Sequence, residues 1–524
     1  MRTRVWHKCL LPRRKCWGAA SVAMRLSSTN VDDTSPLGGI RVLDLSRIVA
    51  GPYCTMILGD LGAEILKIEQ PGVGDEARKW GPPFFQNTKE STYFASVNRN
   101  KKSVCIDLKK GKHVVYDLAR KSDILIENYV PGKLSKMGLG YDEIKNVAPH
   151  LIYCSLTGYG SEGPYSKRPG YDVIAASLGG LMHITGPKDG APCKPGVALT
   201  DLATGLYAHG AIMAALLQRM KTNKGQWIQC NLLSTQVATL INIGSNYLNA
   251  GKEAKRWGSE HESIVPYEAF PTKDGYMTVG TGSDLQFSDL LRKLGMPELQ
   301  SEEKFKNNIN RVKNRGELLD ILRRKFKEKT NEEWNKILEG STFPYGQINT
   351  MKQVFEDPHI KHIKLVKEID HPVVGTMKVV GPPVKYSHAR NEVRLPPPGL
   401  GQHTSEILKN VLNYSEETIE ELRNNKECPT VRLRLRKPRS DKKVQWTQGT
   451  VDNENMNKKK SKCCCIYEKP KNFGESSSED SDDECEHCHG RKDAHKKGVP
   501  TNKDEPPGDA IASEPEPIAT EGSF

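Results

Sequence analysis

The chain has 524 residues, of which 27% are charged and 36% hydrophobic, and its formal net charge is +13. This length exceeds what one hydrophobic core normally serves, so we expect two or more structural units. No apolar run approaches the ~18 residues of a membrane-spanning helix, and we therefore expect no membrane partner.

The first 31 residues are basic and contain no acidic side chain. Seven arginines and lysines stand there among scattered apolar residues and serines. This composition is typical of a mitochondrial presequence and predicts a mature protein in the matrix that lacks residues 1–31; a disordered basic tail is the alternative. Because these charges make up about half of the net charge, the overall basicity does not predict nucleic-acid binding.

Short apolar runs alternate with helical stretches in the first half of the body. Strands are predicted at residues 40–45, 63–69, 104–108, 124–127, 151–156 and 227–231, and helices at 51–61, 110–121, 202–220 and 235–250. This alternation indicates an α/β unit with a parallel sheet covered by helices on both faces. The loop after the first strand lacks the G-x-G-x-x-G fingerprint, so this Rossmann-like unit is not expected to bind nicotinamide or flavin.

A second, smaller unit begins near residue 265, where the pattern changes. The predicted elements are strands at 267–271 and 276–280, helices at 285–294, 315–327 and 331–338, a hairpin within 369–384, and helices at 404–412 and 416–424. We assign residues 36–235 to a large domain, 236–340 to a smaller α+β domain with its linkers, and 341–427 to a return to the large domain. Residues 428–524 have few aromatic side chains and are predicted to form a disordered tail.

Asp201 lies between an extended run that contains Gly and Pro and an uncharged apolar helix. A carboxylate in this place can accept the free N–H groups of the helix's first turn, and the positive end of the helix favours its ionised form. The residues alone leave two roles open for Asp201. It is either the N-cap of the helix or a covalent nucleophile.

Residues 36–425 resemble the class III CoA-transferases. The resemblance rests on runs that follow the family's order: GIRVLDLSR at 39–47, AGP at 50–52, LGA at 61–63, KIE at 67–69, NRNKKS at 98–103, ENYVPG at 127–132, GYG at 158–160, GYD at 170–172 and ALTD at 198–201. It implies a Rossmann-like large domain, a smaller α+β domain and an interlocked homodimer in which each chain threads the other. Within the family, these runs look most like those of mitochondrial enzymes that move CoA from succinyl-CoA to glutarate.

The resemblance makes Asp201 the nucleophile. Its carboxylate would attack succinyl-CoA to give a mixed anhydride and CoA thiolate, and the returning thiolate would form an aspartyl-CoA thioester that glutarate or a related dicarboxylate attacks. Every step exchanges activated carboxyl groups of similar energy, so no metal, ATP or organic cofactor is expected. Backbone N–H groups of Gly-rich loops are expected to stabilise the oxyanions.

Asp172 is the second acid that the resemblance places in the site. In the family's racemase branch a histidine precedes this acid, whereas Tyr171 precedes it here. Transfer is therefore favoured over epimerisation, with an acyl-CoA racemase as the alternative function. Asp172 is expected to support catalysis, although a structural role remains open for it.

Further site residues follow from matching positions. The candidates for binding CoA are Arg78, Lys109, Lys136 and Gln70. Gln70 stands where a relative has a CoA-contacting arginine, and Val49 replaces an active-site glutamine, so the choice of acceptor is open at these positions. Arg47 follows the first strand, where its planar guanidinium would suit the free carboxylate of a dicarboxylic acceptor.

Residues from about 431 to 497 resemble the inhibitor-3 class of protein phosphatase 1 inhibitors. The matching runs are VRLRLRKP at 431–438, KKVQWT at 442–447 and SKCCCIYEKP at 461–470. Lys443, Val444 and Trp446 have the basic-Val-x-aromatic form with which disordered regulators dock on a phosphatase groove. The nearby cysteines could bind zinc, but their spacing is not that of a closed zinc finger, so no metal ligand is assigned.

The two resemblances predict different compartments. The presequence and the enzyme resemblance predict the mitochondrial matrix, whereas a phosphatase inhibitor acts in the cytosol or nucleus. The enzyme covers all of the foldable part, and we predict a class III CoA-transferase whose tail binds the phosphatase. The rival interpretation is a phosphatase 1 regulator that carries an inert enzyme domain.

Overall fold

Six parallel strands form the central sheet of the computed structural model, which describes residues 34–424. They are β1 (Arg41–Asp44), β2 (Glu64–Glu69), β3 (Lys101–Cys105), β4 (Ile124–Glu127), β5 (Ile152–Thr157) and β6 (Trp227–Asn231). Their order is β3-β2-β1-β4-β5-β6, so the winding reverses between β1 and β4. The predicted Rossmann-like α/β fold is confirmed. In such sheets the ligand crevice lies at this reversal, beyond the carboxyl ends of the strands.

Helices cover both faces of the sheet. Those of the large domain are α1 (Ala50–Asp60), α2 (Thr92–Ser96), α3 (Lys112–Arg120), α4 (Lys133–Lys136), α5 (Tyr141–Val147), α6 (Asp172–Leu178), α7 (Leu181–Ile184), α8 (Leu199–Thr222), α9 (Leu232–Ala238) and α10 (Ile241–Ala250), with a 3-10 turn at Glu76–Lys79. The helix predicted at 235–250 is thus two helices, which separate at Thr239 and Leu240. No helix within residues 34–424 is long and apolar enough to cross a bilayer.

Two hydrophobic cores lie on opposite faces of the sheet because side chains alternate along each strand. Leu43 and Leu125 belong to the core under α3, whereas Val42 and Ile124 belong to the core under α1 and α8. Both sets are fully buried. The continuous apolar runs that predicted these strands are therefore required by a sheet that is covered on both sides.

A separate core fills the smaller unit. Its elements are β7 (Tyr267–Pro271), β8 (Tyr276–Gly280), α11 (Asp284–Leu294), a 3-10 turn at Pro297–Ser301, α12 (Asn308–Lys313), α13 (Arg315–Phe326), α14 (Asn331–Leu338) and β9 (Tyr345–Gln347). The three strands form an antiparallel sheet, which reaches past residue 340 because β9 pairs with β8. Phe270 and Phe326 stack in this core, and Trp334 packs against Phe326 with its ring tilted by 49°.

The last part of the chain returns to the central sheet. It contains α15 (Met351–Glu356), α16 (Pro358–His362), the antiparallel hairpin of β10 (Val366–His371) and β11 (Gly375–Val380), α17 (Thr404–Asn410) and α18 (Glu416–Asn424). Ile407, Leu408 and Ile419 enter the core under α3. The two final helices thus complete one face of the large domain.

Strand β3 begins at Lys101, three residues before the predicted start at 104. The predicted start was wrong because two consecutive lysines, Lys101 and Lys102, were expected to be exposed and therefore to precede a buried strand. The Lys101 side chain is in fact fully buried. Its Nζ lies 3.0 Å from Asp44 Oδ2 at the end of β1 and donates to the Pro52 carbonyl at 2.9 Å. Burial lowers the pKa of Lys101 to about 8 against the opposing effect of Asp44. The ion pair of Lys101 with Asp44 therefore lies entirely inside the protein.

We expect replacement of Lys101 by Met to destabilise the protein by about 3–5 kcal/mol, because Asp44 then lies buried without its counter-ion. Urea denaturation of the purified protein measures the loss. Lys102→Met is the matched control: Lys102 pairs with Glu64 and Glu406 at a side-chain exposure of 26%, and such pairs contribute at most about 1 kcal/mol. Equal losses in the two variants would contradict the prediction.

Candidate active site

Two loops meet at the reversal of the sheet, one after β1 and one after β4. Asn128 joins them, because its Oδ1 accepts the N–H of Arg47 at 2.9 Å and its Nδ2 donates to the Arg47 carbonyl at 2.7 Å. The Arg47 guanidinium lies 4.7 Å from the centre of the Tyr129 ring and pairs with Glu76. Arg47 is therefore held at the mouth of the crevice through both its backbone and its side chain.

Ile48 has a φ of 72°, in the left-handed region that a β-branched residue rarely occupies. Its N–H donates to both oxygens of the Asp75 carboxylate, at 3.1 and 3.2 Å. Asp75 in turn pairs with Lys67 at 2.9 Å, and both side chains are fully buried. Lys67 Nζ also donates to the Ser46 carbonyl at 2.9 Å. This buried pair therefore fixes the strained turn that leads from Arg47 into α1.

Helices α1 and α8 cross closely beside this turn. A Cβ added to Gly205 of α8 would lie 2.8 Å from the carbonyl oxygen of Ala50, the first residue of α1. The absent side chain thus lets α8 carry Asp201 to the start of α1, which has no side-chain cap. A cleft of about 1000 Å³, here called the Asp201 cleft, is lined by Arg47, Val49, Ala50 and Asp201 among others.

The predicted N-cap role of Asp201 is wrong. Helix α8 begins at Leu199, so Asp201 is its third residue, and the N-cap residue Ala198 provides no side-chain hydrogen bond. Asp172 caps the helix instead: its Oδ2 accepts the N–H of Thr200 at 2.8 Å and of Asp201 at 3.1 Å. This cap comes from the first residue of α6, which is distant in sequence, and a local sequence pattern does not reveal it.

The expectation that the helix terminus keeps Asp201 ionised also fails. Burial, together with the negative charge of the neighbouring Asp172 carboxylate, raises the pKa of Asp201 to about 7. These two effects outweigh the favourable end of α8. Two carboxyl groups that share one helix terminus, one of them titrating near neutrality, are an arrangement found at acid–base and nucleophilic sites.

Tyr93 is a site residue that the sequence analysis missed. Burial raises the pKa of the Tyr93 phenol, and the charges of Asp201 and Asp172 raise it further, so the phenol is near enough to respond to both carboxyl groups. Tyr93 also packs edge-to-face against Trp80, with ring centres 5.0 Å apart. Its position just before the NRNKKS run carried no recognisable signal of its own.

The family model for CoA-transferase family III matches residues 37–404. The chain belongs to CoA-transferase family III. It is 55% identical over 396 residues to succinyl-CoA:glutarate CoA-transferase from Homo sapiens, a match that covers 75% of this chain and 90% of that protein. It is 37% identical to succinate–glutarate CoA-transferase from Agrobacterium fabrum, with 74% and 96% covered.

Among solved structures, the CoA-transferase is similar to a CAIB/BAIF family protein from Brucella suis. The TM-score is 0.65 at 39% identity, and the match covers 71% of this chain and 98% of that one.

A second family model, that of a protein phosphatase inhibitor, matches residues 430–484. Lys443, Val444 and Trp446 fall in this stretch, which lies outside the described residues, as do the predicted presequence at 1–31 and the predicted tail from 428 onward.

The candidate CoA-binding residues of the CoA-transferase lie in different surroundings. Gln70 and Lys109 line a second cleft of about 890 Å³, here called the Gln70 cleft, which also includes Arg47. Lys136 is exposed at the end of α4. Arg78 makes two hydrogen bonds of 2.7 Å to Glu69 and lies 3.8 Å from the centre of the Phe94 ring. Roles for all four toward CoA stay predictions.

The two clefts adjoin each other. Arg47, Tyr129 and Lys133 line both of them, so a long ligand can extend from the Gln70 cleft to Asp201. Within residues 34–424, no group of three or more His, Cys, Asp or Glu side chains is placed to hold a metal ion.

Proposed function

We propose that this CoA-transferase moves CoA from succinyl-CoA to glutarate or a related dicarboxylate, with Asp201 as the covalent nucleophile. The supporting observation is the placement of Asp201, whose carboxyl group has a pKa near 7 and lines the cleft at the reversal of the sheet. The substrates are those named for relatives with 55% and 37% identity.

The reaction uses one carboxylate as an acyl and CoA carrier. Asp201 attacks the thioester carbon, the C–S bond breaks, and a succinyl–aspartyl anhydride and CoA thiolate result. The thiolate then attacks the aspartyl carbonyl, which releases succinate and leaves an aspartyl-CoA thioester. Glutarate attacks this thioester to give a glutaryl–aspartyl anhydride and thiolate, and attack of the thiolate on the glutaryl carbonyl yields glutaryl-CoA and restores Asp201. No proton or electron is gained or lost overall.

Backbone donors at the start of α1 support the charge that develops in each tetrahedral intermediate. Helix α1 lacks a side-chain cap, and its first residue, Ala50, lines the cleft together with Val49. N–H groups at a helix N-terminus are oriented in advance toward negative charge, which lowers the barrier without reorganisation. These donors take the place of the Gly-rich loop that the sequence led us to expect.

Substrate binding is divided between the two clefts. Arg47 offers its guanidinium to the free carboxylate of a dicarboxylic acyl group, since it lines the same cleft as Asp201. Gln70 and Lys109 line the path that CoA would take through the Gln70 cleft, and Lys136 is exposed to solvent at the end of α4. Asp172 acts on Asp201 through its charge and through the cap that it gives to α8.

We expect a homodimer in the mitochondrial matrix. Large apolar side chains on the helices that follow Asp201 are exposed in the single chain, and burying such a surface against a second copy is favourable. They are Leu206, Tyr207, Leu217, Met220, Ile241, Tyr247 and Leu248. The basic segment at 1–31 supports the location.

Asp201→Asn is expected to lower the rate of transfer roughly 10⁴-fold or more, because the amide cannot carry the acyl group or CoA. Incubation of the full chain with succinyl-CoA and glutarate, followed by mass spectrometry of glutaryl-CoA, measures the loss. Asp189→Asn, at an exposed position on the loop before α8, is the control and should retain activity. If wild type forms no product with any dicarboxylate, the proposal fails, and a racemase that uses Asp172 is the next function to test.

The pH dependence of kcat/KM for succinyl-CoA is expected to show an acid limb with an apparent pKa of about 7. Asp201 must be ionised to attack, so the rate rises with pH through this value and is level above it. Asp172→Asn removes the neighbouring charge while its amide oxygen can still cap α8, so the limb should move to lower pH. An unchanged limb would show that Asp172 does not act on Asp201 through its charge.

We further propose that the tail binds protein phosphatase 1 through Val444 and Trp446, which rests on the inhibitor-family match at 430–484 and on the basic-Val-x-aromatic pattern. Replacing both anchors with Ala in the full chain should abolish co-purification with the phosphatase 1 catalytic subunit while transfer activity is retained. Gln445→Ala, between the two anchors, is the control and should bind normally. Binding by the double variant would contradict this docking mode.

A further inference from the structure

The ion pair between Arg47 and Glu76 lies where the two clefts meet. Both residues line the Gln70 cleft, and Arg47 also lines the Asp201 cleft. Glu76 is the first residue of the short 3-10 turn that follows Asp75. The Arg47 guanidinium, which the proposed function assigns to a substrate carboxylate, is thus already paired with a carboxylate of the protein itself.

The pair leaves polar atoms on both partners unsatisfied. The contact joins Arg47 Nη1 to Glu76 Oε1, whereas Arg47 Nε and Glu76 Oε2 are buried without a hydrogen-bond partner. A guanidinium can bind a carboxylate through two parallel N–H groups, which this arrangement does not achieve. The buried Nε therefore retains the capacity for a better-matched carboxylate than Glu76.

A second cation is close to the same place. Lys133 Nζ lies 5.4 Å from the centre of the Tyr129 ring, whose other contact is the Arg47 guanidinium at 4.7 Å. If Glu76 swings away, two positive charges on one aromatic ring face the crevice. Such a site favours a carboxylate over a neutral group.

We infer that Glu76 is a specificity-determining residue: its carboxylate occupies Arg47 in the absence of substrate and is displaced by the free carboxylate of a dicarboxylic acyl group. This inference rests on the proposed function, since it concerns how that reaction selects its acceptor. When a dicarboxylate binds, its second carboxylate pairs with Arg47 in place of Glu76. When a monocarboxylate binds, its apolar chain end lies against the Arg47–Glu76 pair, which stays intact. The internal carboxylate thereby weakens binding of the true acceptor and sets its KM.

The size of the effect follows from the exposure of the pair. The two side chains are 32% and 46% exposed, and ion pairs of this kind are broken at modest cost. We expect Glu76→Gln to lower the KM for glutarate about two- to fivefold, with kcat unchanged. The ratio of kcat/KM for glutarate to that for pentanoate, a monocarboxylate of the same length, should rise by the same factor.

The experiment measures transfer from saturating succinyl-CoA to glutarate and to pentanoate, for the full chain and its variants. Lys79→Gln alters a charge on the same turn away from Arg47 and is the control, with no change expected in either KM. Glu76→Asp should restore the wild-type KM. In the Arg47→Gln background, Glu76→Gln should have no further effect, which a merely structural role for Glu76 would not produce.

The outcomes separate this inference from the proposed function. If wild type transfers CoA to glutarate but Glu76→Gln leaves its KM unchanged or raises it, the inference is overturned. Equal lowering of both acceptors' KM values also overturns it, because selection for the second carboxylate would then be absent. Absence of transfer by wild type would instead defeat the proposed function.

Discussion

Two buried ion pairs, Asp44–Lys101 and Lys67–Asp75, connect the first three strands and support the loops around the site. Asp44 and Lys101 close the space under α1, and Lys67 and Asp75 fix the turn before it; all four side chains are fully buried. Burial alone would raise the pKa of Asp44, yet Lys101, Lys67 and two hydroxyl groups hold it at about 2. Buried pairs of this kind add little net stability compared with apolar residues. What they provide is a fixed backbone, on which Ile48 keeps an unfavourable φ and Arg47 stays at the crevice.

The site is assembled from elements that are far apart in the chain. Asp201 comes from α8, its cap Asp172 from α6, and the backbone donors beside it from α1, which α8 can approach only because Gly205 has no side chain. Asn128 then ties the loop after β4 to the loop after β1. The position of Asp201 therefore depends on how these elements of the large domain pack together rather than on any single loop.

Much of the fold could be predicted from the sequence, because the strands of a sheet buried on both sides must be short and apolar. This reasoning failed at the start of β3, because a lysine such as Lys101 is expected to be exposed in a strand unless its buried counter-ion is known. The break between α9 and α10 was not predicted, because Thr239 and Leu240 are both compatible with a continuous helix. Asp201 was found through its motif, while its cap and its raised pKa depend on Asp172 and on burial, which are properties of the folded chain. Tyr93 was missed for the same reason.

The raised pKa of Asp201 also has a thermodynamic consequence for the protein as a whole. The folded chain holds this proton more tightly than the unfolded chain, whose carboxyl group titrates near 3.8. Folding therefore becomes less favourable as the pH rises from about 4 to about 7, and the full penalty, on the order of 4 kcal/mol, applies above that range. The same burial that makes the carboxylate reactive thus opposes folding at physiological pH, and the cores on both faces of the sheet must compensate for it.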